Sequence, residues 1–179
     1  MVDAAKKFGV IVYNDLKWSK NTDFIVGKAM KRIWTLRRLR KLGFGDDFII
    51  DVYKKEIRTI LEYAVQVWNG ALTKKDSDKI EKVQKIVIKF LLRQKYDSYS
   101  EACQQLELEK LSTRRDQLCL KFAIKEFKKS TNFFKIVGAQ KRRVVAKKKY
   151  VHEPKTRTNR HYMSSYMYLS RLFNEKYQP

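Results

Sequence analysis

A chain of 179 residues is long enough for one well-packed core with a tail, and its 41 Lys and Arg against 19 Asp and Glu leave a formal net charge of +22. A field of that sign and size makes polyanions the expected partner and leaves any activity open. No apolar run reaches the ~18 residues of a membrane span, and Met1-Val2-Asp3-Ala4-Ala5-Lys6-Lys7 is not a hydrophobic signal core, so an intracellular protein, nuclear or cytoplasmic, with no membrane partner is expected.

The first element in chain order is Phe8-Gly9-Val10-Ile11-Val12-Tyr13, a β-branched run closed by the turn-prone Asn14-Asp15. It predicts one short strand without a visible partner, a remnant of a sheet that is absent over residues 1–17. Ser19 or Asn21 is the expected N-cap of a helix running to about Leu42 and stopped by Gly43, with Ile25, Ala29, Ile33 and Leu36 inward. A second helix opens at Asp46-Asp47 and carries Ile49, Tyr53, Ile57, Ile60, Ala64 and Val67 on one face. Thr73 with Asp76 forms a capping box for a third, whose inward positions are Ile80, Val83, Val87 and Leu91 and which ends near Arg93.

Ser98 with Glu101, and Thr113 with Asp116, are further capping boxes, for a short helix to about Leu106 and for a longer one to Phe127. The longer one is apolar on two sides, with Leu120, Ile124 and Phe127 on one and Leu118 and Phe122 on the other. Beyond Ser130 the periodicity decays, and residues 141–160 hold nine Lys or Arg with one acid, Glu153. The expected fold is therefore all-α: about five helices over residues 18–130, one short N-terminal strand, and a basic, poorly ordered tail over 131–179.

Two basic stripes stand out. At 100° per residue Lys82, Lys85, Lys89 and Arg93 fall within about an 80° arc opposite Ile80, Val87 and Leu91. In the first helix Lys31, Arg38 and Lys41 share a face with Trp34, and no acid occurs between Phe24 and Gly45. Phosphates can lie along such faces while an indole stacks on a base. Lys141, Arg142, Arg143, Lys147, Lys148 and Lys149 of the tail complete the candidate nucleic-acid-binding set.

Phe8 to Val12 leading to Leu16-Lys17-Trp18, then Ile57-Arg58-Thr59-Ile60-Leu61-Glu62-Tyr63-Ala64-Val65-Gln66-Val67-Trp68-Asn69, then Lys79-Ile80-Glu81-Lys82-Val83-Gln84-Lys85, resemble in order and spacing the reverse transcriptases of jockey-like non-long-terminal-repeat retrotransposons. The likeness continues through Tyr99-Ser100-Glu101-Ala102 and Leu111-Ser112-Thr113-Arg114-Arg115, and Arg157-Thr158-Asn159-Arg160 is similar to the family's basic tail. Tyr13 stands where that family usually has Asp, and Gln66 where Pro is common. The resemblance implies a thumb and post-palm region of an RNA-directed DNA polymerase, downstream of its catalytic carboxylates, with RNA or DNA backbone and the palm as partners.

Phe44-Gly45-Asp46-Asp47 mimics the metal-holding hairpin of such polymerases. Two-metal phosphoryl transfer needs a third carboxylate on a separate strand, and none is placed to serve; the pair is expected to open a helix instead. His152 and His161, with Cys103 and Cys119 far upstream, lack the spacing of a zinc site. Asp76, Asp78 and Glu81 are expected near a helix start for dipole reasons. No catalytic residue, metal or cofactor is expected, and the alternative to nucleic-acid contact is a stand-alone helical protein-interaction module. The chain should show no template-dependent nucleotide incorporation with Mg²⁺ or Mn²⁺ in a primer-extension assay; incorporation abolished by Asp46→Asn with Asp47→Asn would contradict this.

Overall fold

The computed structural model describes residues 4–15, 17–129 and 151–177. Among the described residues the fold is all-α apart from a small hairpin at the N-terminal end. The described residues fall into two compact units, one drawn from Met1–Ala64 and Leu72–Arg114, the other from Val65–Ala71 and Arg115–Pro179.

In the first unit the apolar strand is not alone. β1 (Ala4–Lys7) pairs antiparallel with β2 (Val10–Tyr13), joined through Phe8 and Gly9, whose φ values of 47° and 81° are those of a tight primed turn. The sequence Ala-Ala-Lys-Lys has no strand propensity of its own, which is why the partner was not expected. Tertiary bonds seat the hairpin: the Ile11 amide donates to Asn21 Oδ1 at 3.1 Å, and the Tyr63 hydroxyl donates to the Phe8 carbonyl at 2.8 Å.

α1 (Ser19–Lys41) buries Ile25, Ala29, Ile33 and Leu36, as its spacing predicts. Neither expected cap residue caps it. Its N-cap is Trp18, because Ser19 Oγ donates to Asp76 Oδ2 at 2.7 Å and Asn21 is occupied by the hairpin. At the other end Gly43 adopts φ 87°, and the amides of Gly43 and Phe44 return to the carbonyls of Arg40 and Leu39 at 3.1 and 3.2 Å, a Schellman stop.

The second helix departs most from its pattern. α2 (Asp46–Val52) passes into a π-helical stretch, Tyr53–Arg58, then α3 (Thr59–Glu62), and the chain breaks at Ala64, φ 52°. Bonding from i to i+5 widens the turn, so four-residue steps stay on one face. Ile49, Tyr53 and Ile57 are buried as expected, and the face continues through Leu61 and not Ile60; past the break Val65 and Trp68 are buried within the second unit, while Ala64 and Val67 are not buried.

α5 (Lys74–Leu92) runs in the same direction as α1, tied to it by Ser19 to Asp76, by Lys79 to Asp23 at 2.5 Å and by Arg40 to the Phe90 carbonyl at 2.6 Å. Thr73 Oγ1 accepts from the Asp76 amide at 3.1 Å, the expected cap, and Ile80, Val83, Val87 and Leu91 are buried. Asp76 and Glu81 are buried too, so their role exceeds a dipole contact. The Glu81 carboxylate accepts from the amides of Leu111 and Ser112 at 2.9 and 3.1 Å and from the Tyr99 hydroxyl. It thereby caps α7 (Leu111–Lys128) from another helix. Thr113 and Asp116 lie inside α7 and do not form the expected box. α6 (Tyr99–Gln105) does start at its Ser98 cap, whose Oγ accepts from the Glu101 amide at 3.3 Å.

In the second unit α4 (Val65–Trp68) leads to a 3₁₀ turn at Asn69–Ala71. The inward stripe of α7 there is Arg115, Cys119 and Ala123, with the two expected apolar sides half-buried at its flanks. Within the expected basic tail, Val151 is buried, and α8 (Asn159–Tyr162) and α9 (Ser165–Lys176) are regular. Met167, Leu169, Leu172 and Phe173 give α9 an apolar face. Asn174 clamps Val151 through both of its backbone groups, at 3.0 and 2.9 Å. Asn69 Nδ2 donates to Asp116 Oδ1 at 3.0 Å and to the Tyr168 hydroxyl at 2.9 Å. Gly70 is required beside them: a Cβ there would lie 2.4 Å from that of Tyr168. Residues 130–150 of the expected tail lie outside the described residues.

Glu81→Ala strands two helix-end amides and a half-buried tyrosine hydroxyl, so it should cost roughly 3 kcal/mol, whereas Thr73→Ala should cost about 1 kcal/mol. Urea unfolding with an unchanged m-value checks both. Deleting residues 1–14 removes the Ile11 and Phe8 bonds and the buried Val10, so it should lower the midpoint.

Candidate nucleic-acid interface

The site is set by what α1 and α5 leave outside. α1 buries one narrow stripe, and Lys28, Lys31, Arg32, Arg37, Arg38 and Lys41 all remain exposed. None of these six forms an ion pair among the described residues. Arg40, the seventh cation of the acid-free window, is spent on the carbonyls of Phe90 and Leu91 and on Asp46. Trp34 is 59% exposed, and the Arg38 guanidinium lies 4.6 Å from its ring centroid, one turn further along.

On α5 Lys82, Lys85 and Lys89 are exposed and share a face. Arg93 is exposed but does not continue the rail. The helix ends at Leu92, and Arg93 turns the chain with φ 50°, so helical spacing no longer places its side chain. The Lys85 ammonium lies 5.0 Å from the Tyr99 ring and that of Lys89 lies 4.9 Å from Tyr96. Each ring attracts the ammonium above it and so limits where that charge can sit. Sequence reasoning missed both tyrosines, along with Lys28, Arg32 and Arg37. The acid-free window already contained those three cations, whereas no local signal pairs Tyr96 and Tyr99 with lysines across a chain reversal. Lys141, Arg142, Arg143, Lys147, Lys148 and Lys149 lie outside the described residues.

Several acidic residues hold elements together, while others, such as Asp47, Asp51 and Asp78, are exposed. Asp46 and Asp47 occupy the first turn of α2, and Asp46 is paired with Arg40. Glu62 sits 2.6 Å from Arg114 and 3.7 Å from Arg58. Among the described residues no group of three His, Cys, Asp or Glu side chains is placed to hold a metal ion, and no helix is long and apolar enough to cross a membrane.

Both cysteines are reduced and buried. Burial raises the Cys103 thiol above its ordinary range, and burial with Asp116 nearby pushes Cys119 up to about 12. Burial, with the Glu81 carboxylate beside it, likewise raises the Tyr99 hydroxyl well above the ordinary phenol range.

Comparison of the chain with protein-family models, with curated proteins and with solved structures finds no match.

At pH 8 a disulfide reagent such as dithionitrobenzoate should label neither thiol rapidly in the folded chain and both in guanidinium chloride. The neutral Cys119 thiol is favoured by the folded state. Its contribution to stability is fully present below the ordinary thiol pKa of about 8.5 and fades as pH climbs toward about 12. Rapid stoichiometric labelling of folded protein would contradict the burial of either cysteine.

Proposed function

We propose that this chain is a non-catalytic module that grips the sugar-phosphate backbone of RNA or DNA, with little regard to sequence, through the exposed basic faces of α1 and α5. The observation that carries the reading is the outer face of α1: six exposed cations with no ion pair among the described residues, on a helix that has no acid beyond Asp23. Like charges held together on a rigid rod repel one another, and a polyanion relieves that repulsion while releasing its own counterions. The rail on α5 adds three more charges, steadied by Tyr96 and Tyr99.

The sequence resemblance extends this to a particular setting: the thumb and post-palm region of a jockey-like retrotransposon reverse transcriptase, holding template and primer while a palm elsewhere supplies the catalytic carboxylates. Two segments that carry the resemblance touch each other in the first unit, where the Tyr63 hydroxyl bonds the Phe8 carbonyl and Gly9 lies against the Tyr63 ring. Their contact makes the hairpin and the end of α3 one substructure.

A second reading, a stand-alone protein-interaction module, draws on a different patch. Leu42 is 70% exposed at the α1–α2 corner, beside the stacked rings of Phe44 and Phe48, 4.7 Å apart. Phe8 is exposed as well, whereas Val10 is buried and Ile11 and Val12 are half-buried, so the N-terminal run offers less apolar surface than its sequence implies.

Salt dependence tests the first reading. Contact of about six phosphates predicts that log K falls with log salt at a slope near −4 on single strands and near −5 on duplex. Lys31→Ala, Arg38→Ala and Lys41→Ala together should flatten the single-strand slope by about two, and Lys82→Ala, Lys85→Ala and Lys89→Ala together by a similar amount. All six side chains are exposed and Ala is the best helix former, so helix content should persist. Wild-type slope and affinity in both triple variants would reject the backbone grip and move the interaction module ahead.

A further inference from the structure

The basic face of α1 contains one residue that a pure phosphate grip does not need. Trp34 is 59% exposed in the middle of α1, while Trp68 is fully buried in α4. A large indole left in water is informative in a way that an exposed lysine is not. Its neighbours on the face are the half-exposed Met30 and Lys31 one turn before, Arg37 and Arg38 one turn after, and Lys41 beyond. By helical rise, Lys31 to Lys41 spans about 15 Å, with the indole nearer the Lys31 end. The Arg38 guanidinium, 4.6 Å from the ring centroid, can cover only one face of the ring.

We infer that Trp34 and Arg38 form a stacking platform for an unpaired base, so that α1 selects single-stranded over duplex nucleic acid. This rests on the backbone-grip reading and deepens it. In a duplex the flat faces of the bases are already stacked on one another, and only groove edges and phosphates meet a helix surface. In a single strand a base can turn onto the open indole face while its flanking phosphates reach Lys31 and Lys41. Stacking on an aromatic ring tolerates any base, because every base has a π-face, so the platform adds affinity without adding sequence preference. The guanidinium lengthens the platform and supplies positive charge next to the π-system. Charge complementarity selects the occupant: Lys31, Arg37, Arg38 and Lys41 lie around the ring, and no acid occurs between Phe24 and Gly45.

The test compares the full chain bound to three probes: a deoxyadenosine strand of about twelve nucleotides, an abasic sugar-phosphate strand of the same length, and the corresponding duplex. Wild type should bind the base-bearing strand about five- to a hundredfold more tightly than the abasic one. Trp34→Leu, which keeps an apolar side chain of moderate size without a π-face, should remove most of that difference, and Trp34→Phe should restore much of it. Circular dichroism reports whether each variant folds, and the Leu and Phe variants bracket any packing effect. Equal binding of base-bearing and abasic strands by wild type would overturn the platform and leave the backbone grip standing. Failure to bind any of the three probes would reject both. Phosphatidylcholine vesicles with about a third phosphatidylserine make the last arm: loss of vesicle binding in Trp34→Leu, with strand binding unchanged, would reassign the indole to an anionic lipid surface and overturn the inference.

Discussion

The first unit depends on polar side chains of α5 that are buried and bonded to other elements. Glu81 accepts from two amides at the start of α7 and from Tyr99; Gln84, one turn on, accepts from the Tyr53 hydroxyl at 2.7 Å and donates to the Glu109 carbonyl at 2.9 Å and to Tyr99 at 3.0 Å. These two residues join the π-helical stretch, α6 and the first turn of α7 to a single helix. Each bond is modest in net terms, but a buried acceptor that loses its donors costs the full desolvation of the group. The network therefore specifies one arrangement of the helices, since a shift of α5 by a single residue would leave every member unsatisfied.

The first unit also places several of its acids where they hold elements together: Asp76 between Ser19 and Thr73, Glu62 between Arg58 and Arg114, Asp23 with Lys79, Asp46 with Arg40. Several arginines are drawn inward by these contacts or, like Arg40, by the last carbonyls of α5. The segregation leaves the outer faces of α1 and α5 with positive charge that internal acids do not neutralise. A surface built this way stores self-repulsion, and the favourable release of that repulsion is available to any polyanion that fits.

The π-helical stretch Tyr53–Arg58 has a comparable influence on the apolar side. By holding four-residue steps on one face it carries the buried line from Ile49 through Tyr53 and Ile57 to Leu61. Ile60, Ala64 and Val67, which regular α spacing would also place on that face, are not buried. The positive φ of Ala64 then ends the segment abruptly, which Gln66 alone, without a proline nearby, does not announce.

The sequence by itself determined what depends on neighbours within a turn or two: the all-α class, the inward positions of α1 and α5, the Schellman stop at Gly43, the caps at Thr73 and Ser98, and the acid-free basic window of α1. Helical periodicity and capping are local, so the residues that cause them sit within a few positions of the effect. Only the tertiary structure decided that Ala4 to Lys7 pairs as a strand, that Asn21 and Ser19 bond other elements instead of capping, that Glu81 caps α7 from thirty residues away, and that α8 and α9 form within the expected tail with Leu169 and Phe173 buried. It also decided that Trp34 stays in solvent while Trp68 is enclosed. Each of these turns on a partner far away in sequence, and a polar or aromatic side chain carries no local sign of whether such a partner will arrive.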